Sequence, residues 1–183
     1  MEFTKKNPKI YILAGKAQSG KNLSATIIKK YYEKQNKKTV IISYAKYLKD
    51  YAKEIINWNG EENTKPRELL QQLGVELIKN KIDENMLINR IKEDIKVYAY
   101  FFDVIIISDA RFESEIEEIK KQNKNVTVIK IEGKQNTLTT EQKQHITETA
   151  LNNYNNYDYI IENNKTLEEL KQKITKIMEE IKW

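Results

Sequence analysis

The sequence predicts one α/β domain spanning residues 1–183, with a five-stranded parallel sheet covered by helices on both faces. Short, continuous apolar runs of the kind found in buried parallel strands alternate with segments whose apolar residues have helical spacing. A glycine-rich turn separates the first strand from the first helix. The length suits a single domain with its own core, and no internal repeat, linker or low-complexity tail divides the chain.

Five apolar runs predict the strands of this sheet. They lie at residues 10–14, 39–43, 103–109, 126–131 and 159–161. Each is too short for a typical helix and consists mainly of β-branched and aromatic residues. The third run ends in an acidic residue, Asp109, at what would be the carboxyl end of its strand.

Helical spacing predicts a helix after nearly every strand, and three helices in succession between the second and third strands. Pro66 begins the second of these three, a position that proline favours. Its apolar face is predicted to consist of Leu69, Leu70, Leu73, Leu77 and Ile78. Asp83 is expected to cap the third helix, and Thr166 the last helix of the chain. Three helices exceed a simple crossover, so we interpret residues 44–100 as an inserted substrate-binding region.

Composition excludes several classes of protein. There is no cysteine and only one histidine, His145, so a disulfide framework, a thiolate metal site and a histidine cluster are ruled out. Residues 1–6 lack the apolar stretch of a signal peptide, and the longest apolar run, 97–108, is too short to cross a bilayer. We therefore expect a cytoplasmic protein with no membrane partner.

The formal net charge is +5, and lysine supplies nearly all of the positive charge. We attribute this balance to a coding bias towards lysine, and we expect small-molecule partners but no stable nucleic-acid partner. Arginine occurs only at Arg67, Arg90 and Arg111. Because lysine is the usual cation in this sequence, these three arginines are candidates for specific roles.

The turn after the first strand fits the phosphate-binding pattern G-x-x-x-x-G-K, with a strand before it and a helix after it. In such a loop, backbone N–H groups and the helix N-terminus bind phosphate oxygens, and Lys21 reaches the β- and γ-phosphates. The pattern predicts a nucleoside triphosphate, ATP, bound by Gly15, Lys16, Ala17, Gln18, Ser19, Gly20, Lys21, Asn22 and Leu23.

The residue after the loop lysine departs from the usual pattern. A serine or threonine normally contacts Mg²⁺ there, whereas this chain has Asn22, whose amide oxygen is a weaker ligand. Ser24 carries a hydroxyl but lies two residues further along the helix, so it is expected to point elsewhere. We assign the predicted metal site to Asn22 and Asp109.

Asp109 and Arg111 follow the third strand, at the sheet edge where ligands bind in open α/β folds. An acid there can hold Mg²⁺ directly or through water, and Arg111 can reach the same crevice. The alternative is that Asp109 caps the next helix and that Arg111 is solvated. The acidic residues of that helix are expected to form a solvated face: Glu113, Glu115, Glu117 and Glu118.

Five segments together resemble the deoxynucleoside monophosphate kinases of phages and bacteria, a branch of the P-loop nucleotide kinases. Residues 15–22 resemble G-K-x-x-S-G-K-D, and 43–49 resemble S-F-A-x-x-L-K. Further along, 67–76 resemble R-x-L-L-Q-x-L-G-T-E, 109–115 resemble D-x-R-F-x-x-E, and 145–148 resemble H-x-S-E. The segments occur in order over nearly the whole chain.

The resemblance implies a P-loop kinase fold with a helical substrate-binding insertion at about 44–100 and a short lid at about 132–145. It implies ATP-dependent phosphorylation of a (deoxy)nucleoside monophosphate with Mg²⁺, and it assigns Lys21, Asp109 and Arg111 as catalytic residues. The acceptor would be bound by Tyr44, Lys46, Lys49, Arg67, Gln71, Asp109 and Arg111.

The lid departs from that family, because it offers Lys134 and Lys143 and no arginine. A lysine is a point charge and cannot make the bidentate contact of a guanidinium. We expect a mobile loop at 133–144, followed by His145 in a structural role at a helix start. An acceptor phosphate is already ionised and needs no general base.

Two alternatives stay open on the sequence. One is a P-loop kinase for another phosphorylated acceptor, of the phosphomevalonate or dephospho-CoA type. The other is a nucleotide-binding module without turnover, which Asn22 and the arginine-free lid would favour. The sequence also leaves a homodimer open.

Overall fold

A computed structural model describes residues 3–133 and 139–181 of the chain. Its centre is a five-stranded sheet in the order β2-β3-β1-β4-β5, in which every neighbouring pair is parallel. The strands are β1 (Lys9–Ala14), β2 (Thr39–Ile42), β3 (Val104–Ala110), β4 (Val126–Gly133) and β5 (Tyr159–Asn163). The five predicted strands and their parallel arrangement are confirmed.

Helices cover both faces of the sheet. They are α1 (Lys21–Glu33), α2 (Ala45–Ile56), α3 (Arg67–Gln71), a π-helix (Gln72–Ile82), α4 (Met86–Tyr98), α5 (Glu113–Gln122), α6 (Thr140–Gln144), α7 (Ile146–Thr149) and α8 (Leu167–Glu180). A 3₁₀ turn, Glu62–Thr64, precedes α3.

The two faces of the sheet bury separate cores because successive strand side chains point to opposite sides. On one face, Ile10 and Ile12 pack with residues of α4 and α5 such as Ile91 and Ile116. On the other, Tyr11 and Leu13 pack with α1 and α8. All four strand residues are no more than 1% exposed. The continuous apolar run of β1 follows from this burial on both faces.

The insertion between β2 and β3 contains the three predicted helical segments, but the second differs from the prediction. It begins after Pro66, as expected, and changes after five residues from α3 into the π-helix. Residues five apart share a face where hydrogen bonds run from i to i+5. Leu73 and Ile78 are accordingly buried, whereas Leu77 is 42% exposed. The prediction of Leu77 on the apolar face was wrong.

Of the two helix caps predicted from the sequence, one is confirmed and the other was wrong. The Thr166 hydroxyl accepts a hydrogen bond from the Glu169 N–H, which caps α8 as predicted. The Asp83 carboxylate instead accepts a hydrogen bond from the Asn85 N–H at 2.8 Å. Asn85 is the residue before α4, so this bond lies ahead of the helix. It therefore shapes the turn before the helix and does not cap it.

The segment predicted as a mobile loop, 133–144, contains regular structure at both of its described ends. Gly133 ends β4, and residues Thr140–Gln144 form α6. The helix escaped prediction because its residues are polar and show no apolar period. Residues 134–138, including Lys134, lie outside the described part of the chain. None of the helices in ranges 3–133 and 139–181 has the length and apolar character that crossing a bilayer requires.

Candidate active site

A cleft of about 750 Å³ opens at the carboxyl edge of the sheet. The glycine-rich loop, the helical insertion, the end of β3 and α7 form its walls. The structure brings together most of the predicted site residues on these walls, namely Ala17, Gln18, Gly20, Lys21, Asn22, Leu23, Lys49, Arg67, Gln71, Asp109 and Arg111. The cleft therefore joins the predicted triphosphate site to the predicted acceptor region.

The loop between β1 and α1 has the backbone conformation that its glycines allow. Gly15 has φ 140° and Gly20 has φ 102°, values that residues with a Cβ rarely adopt. A Cβ at Gly15 would also collide with the carbonyl oxygen of Ile131, and one at Gly20 with the side-chain amide of Asn163. Asn163, at the end of β5, donates to the carbonyl oxygen of Ser19 at 2.9 Å. The sequence alone did not reveal this support.

Lys21 is folded back into the loop. Its Nζ donates to the carbonyl oxygens of Gly15 at 2.7 Å and Lys16 at 2.6 Å, and the residue is 6% exposed. Burial, reinforced by the positive charge of Arg111, lowers the pKa of Lys21 to about 7. A bound polyphosphate would favour the charged ammonium, so this environment suits a lysine whose partner is an anion.

Asp109 contacts a helix start, though not the one considered from the sequence. Its Oδ1 accepts from the Tyr44 N–H and its Oδ2 from the Ala45 N–H, both at 2.9 Å. These amides lie at the N-terminus of α2, where a carboxylate also interacts favourably with the helix dipole. Each carboxylate oxygen has further acceptor capacity towards the cleft.

The next helix is supported by Glu115. This residue is 7% exposed, and its Oε2 accepts from the Arg111 N–H at 2.6 Å and the Phe112 N–H at 3.0 Å. Burial raises the pKa of Glu115 to about 7. The prediction of a solvated acidic face was therefore wrong for Glu115, because the chain turns its side chain back under the β3–α5 connection.

Arg111 is paired with a buried carboxylate and only 23% of its side chain is exposed, which contradicts the alternative of a solvated Arg111. Its Nη1 lies 2.7 Å from Glu148 Oε1, and Glu148 is 5% exposed. The other carboxylate oxygen, Oε2, accepts from the Ala17 N–H of the loop at 2.6 Å. Glu148 therefore joins the phosphate loop to Arg111. The sequence placed it in the H-x-S-E segment without indicating this contact.

A second cationic cluster lies in the same cleft, on the helical insertion. Lys65 Nζ is 2.9 Å and Arg67 Nη2 is 3.3 Å from Glu62 Oε1. Burial alone would raise the pKa of Glu62, but Lys65, Arg67 and Lys49 lower it below its usual value. Burial lowers the pKa of Lys65. Lys65 was not predicted, because lysine is common throughout this sequence.

Two predicted acceptor residues do not reach the cleft. Tyr44 is 3% exposed and packs in the core, and its Oη donates to the Glu115 carbonyl oxygen at 2.7 Å. Lys46 lies with its Nζ 5.2 Å from the Tyr47 ring centroid. Tyr44 precedes α2 and points into the core, and Lys46 lies on the exposed side of α2, whereas Ala45 and Lys49 face the cleft.

Gln71 and His145 both form hydrogen bonds with Thr147. Gln71 Nε2 donates to the Thr147 hydroxyl at 3.4 Å, which connects the insertion with α7. His145 precedes α7, and its Nδ1 accepts from the Thr147 N–H at 3.3 Å. The side chain of His145 therefore acts at the helix start, as expected from the sequence.

The residues near the loop suit a metal ion that arrives with a polyphosphate. Asn22 and Asp109 both line the cleft, whereas Ser24 is fully buried and does not. Within ranges 3–133 and 139–181, no group of three or more acidic, histidine or cysteine side chains could enclose a metal ion. Mg²⁺ typically uses one or two carboxylates together with substrate phosphates and water, which these residues allow.

Solved structures share this architecture at low sequence identity. APS kinase CysC of Mycobacterium tuberculosis, in complex with AMPPNP and APS, is 11% identical with a TM-score of 0.57, over 95% of this chain and 99% of that chain. A sugar kinase from Janibacter sp. HTCC2649 is 12% identical with a TM-score of 0.59, over 94% and 95%. A gluconokinase from Sinorhizobium meliloti 1021 is 11% identical with a TM-score of 0.54, over 97% and 95%.

These likenesses establish the P-loop kinase fold. No curated protein sequence matches the chain significantly. A family model, however, that of deoxynucleotide monophosphate kinase, matches residues 29–174, well over half of the chain. The phosphate loop lies before the matched range, so the loop and the family match are separate observations. The protein is a P-loop kinase that phosphorylates a small substrate, and it belongs to the deoxynucleotide monophosphate kinase family.

Proposed function

We propose that the protein transfers the γ-phosphoryl group of ATP to the phosphate of a deoxynucleoside monophosphate. One observation carries the proposal: a single cleft contains both the phosphate loop with Lys21 and a second cationic cluster, Lys49, Lys65 and Arg67. Two clusters suit two anionic substrates, whereas an acceptor with a neutral hydroxyl would need only one.

The donor would lie over the loop and the N-terminus of α1. Backbone N–H groups and Lys21 would hold its β- and γ-phosphates. The phosphate oxygens would replace the loop carbonyl oxygens to which Lys21 donates in this structure. Mg²⁺, when bound, would neutralise charge on these phosphates, with Asn22 and Asp109 as its nearest protein groups. Arg111, which lines the same cleft, would stabilise the transferring group.

The acceptor would lie against the helical insertion. Arg67 and Lys65 would bind its phosphate in place of Glu62, and Gln71 offers an amide to read the edge of a base. Tyr44 is buried, so the flat surface for the base would be Phe112, which lines the cleft. An oxygen of the ionised acceptor phosphate would attack the γ-phosphorus as the bond to the β–γ bridging oxygen breaks.

The experiment is a coupled assay of ADP release with each of the four deoxynucleoside monophosphates, phosphomevalonate and dephospho-CoA as acceptors. We expect turnover with at least one deoxynucleoside monophosphate and none with the other two compounds. Lys21→Ala should lower turnover by roughly 10²–10³ or more. Lys30→Ala, an exposed change on the same helix, is the matched control and should leave turnover unchanged.

Turnover with phosphomevalonate or dephospho-CoA alone would refute the proposed acceptor and leave the kinase fold intact. Binding of ATP without turnover of any acceptor would support the nucleotide-binding module instead. Full activity of Lys21→Ala would contradict the assignment of the phosphate loop itself.

A further inference from the structure

Glu148 is a buried carboxylate in the wall of the cleft. It lies on α7, is 5% exposed, and uses both of its oxygens on the groups around it. Oε2 accepts from the Ala17 N–H at 2.6 Å, and Oε1 lies 2.7 Å from Arg111 Nη1. Burying a carboxylate is costly unless it is paired and hydrogen-bonded, and here both conditions are met.

Both of these partners are groups that bind phosphate in P-loop proteins. The Ala17 N–H belongs to the loop that cradles phosphate oxygens, and the guanidinium of Arg111 is close enough for its charge to lower the pKa of Lys21. The carboxylate of Glu148 thus makes the contacts that a phosphate would make. A phosphate at this position and an ionised Glu148 would compete for the same donors and repel each other.

The geometry also indicates which phosphate competes. Phosphates over the N-terminus of α1 would face the amides of Gly20 and Lys21. Ala17 lies earlier in the loop, and Glu148 connects it to Arg111, the first residue after β3. Glu148 also follows Thr147, which contacts Gln71 of the acceptor region. The phosphate closest to the acceptor is the terminal phosphate of the triphosphate.

We infer that Glu148 occupies the place of the terminal phosphoryl group, so that a triphosphate must displace it and a diphosphate need not. Glu148 then determines how the cleft discriminates ATP from ADP, and its departure frees Arg111 for the transferring group. The inference rests on the proposed use of this cleft for a triphosphate donor.

The test is calorimetric titration of ATP and of ADP, without acceptor, into the wild-type protein and Glu148→Gln. The amide keeps the size of the side chain and removes its charge. We expect ATP affinity to rise roughly five- to tenfold, the scale of a typical coupling between sites, while ADP affinity changes little. Glu117→Gln is the matched control, because Glu117 accepts hydrogen bonds from Tyr154 and Asn156 outside the cleft. It should leave both affinities unchanged.

An equal change for ATP and ADP, or weaker binding of ATP, would show that Glu148 only supports the local structure and would overturn the inference. A second measurement uses the wild-type protein alone. Amide exchange at 146–149 should be faster with a non-hydrolysable ATP analogue than with ADP, and equal or slower exchange would contradict displacement. Failure of the proposed acceptor would appear separately, as ATP affinities that shift as expected without turnover of any deoxynucleoside monophosphate.

Discussion

At the scale of single residues, the main cations of the cleft are held by oxygens of the protein itself. Lys21 contacts loop carbonyls, Arg111 contacts Glu148, and Arg67 contacts Glu62. In each contact a phosphate oxygen could take the place of the protein oxygen, so that the cation stays paired when a substrate binds. The lowered pKa of Lys21 fits this arrangement, because a neutral lysine is tolerated in the absence of an anion.

Asp109 has two roles at this scale, and one substitution separates them. Asp109→Asn removes the charge near the predicted Mg²⁺ and one of the two oxygens that accept from the N-terminus of α2. We expect turnover to fall roughly 10- to 100-fold, as for other groups that orient a metal, and the Mg²⁺ dependence to shift to higher concentration. The measurement is a Mg²⁺ titration of the initial rate.

Asp94→Asn is the control, because Asp94 accepts a hydrogen bond from the Tyr47 hydroxyl away from the cleft. A lower melting temperature of Asp109→Asn with an unchanged Mg²⁺ titration would reduce Asp109 to a helix cap.

At the scale of elements, the π-helix decides how the insertion packs. Its wider turn places Leu73 and Ile78 on the buried side and leaves Leu77 exposed. The apolar pattern of the sequence is compatible with an ordinary α-helix, so the change from α-helix to π-helix could not be predicted from it. Gly74 lies in this segment, where a Cβ would approach the Leu48 side chain to 3.0 Å, and the sequence alone could not reveal that close approach.

The π-helix makes a testable distinction between two leucines. Leu73→Ala should lower the free energy of unfolding by about 2–5 kcal/mol, because it leaves a cavity in a buried position. Leu77→Ala should change it by no more than about 0.5 kcal/mol. Urea unfolding of both variants provides the comparison. Similar losses for the two would indicate an α-helical register and contradict the π-helix.

At the scale of the whole molecule, the sequence predicted the parallel sheet and the part of the cleft that the phosphate loop, Asp109 and Arg111 form. The phosphate loop, the parallel sheet and the positions of Asp109 and Arg111 followed from local patterns that repeat in many α/β proteins. The contacts of Glu148 and Asn163 with the loop did not, because residues more than a hundred positions apart meet there only after folding. Lys65 could not be singled out from the sequence, because lysine is common throughout the chain.

In the proposed function, the two cationic clusters of the cleft bind two different phosphates, and Arg67 lies on the acceptor side. Arg67→Ala removes a charged contact that the phosphate of the acceptor would make and the donor would not. Arg90→Ala is the matched control, since Arg90 is exposed and its guanidinium lies 5.6 Å from the Tyr47 ring centroid, outside the cleft.

The most direct measurement is steady-state kinetics of both variants, with ATP and the deoxynucleoside monophosphate varied in turn. For Arg67→Ala we expect the KM of the monophosphate to rise about tenfold or more, because one charged hydrogen bond is lost. The KM of ATP should change little. For Arg90→Ala both values should match those of the wild type. An equal rise in both KM values for Arg67→Ala, or a rise for ATP alone, would contradict the binding of two phosphates by two separate clusters.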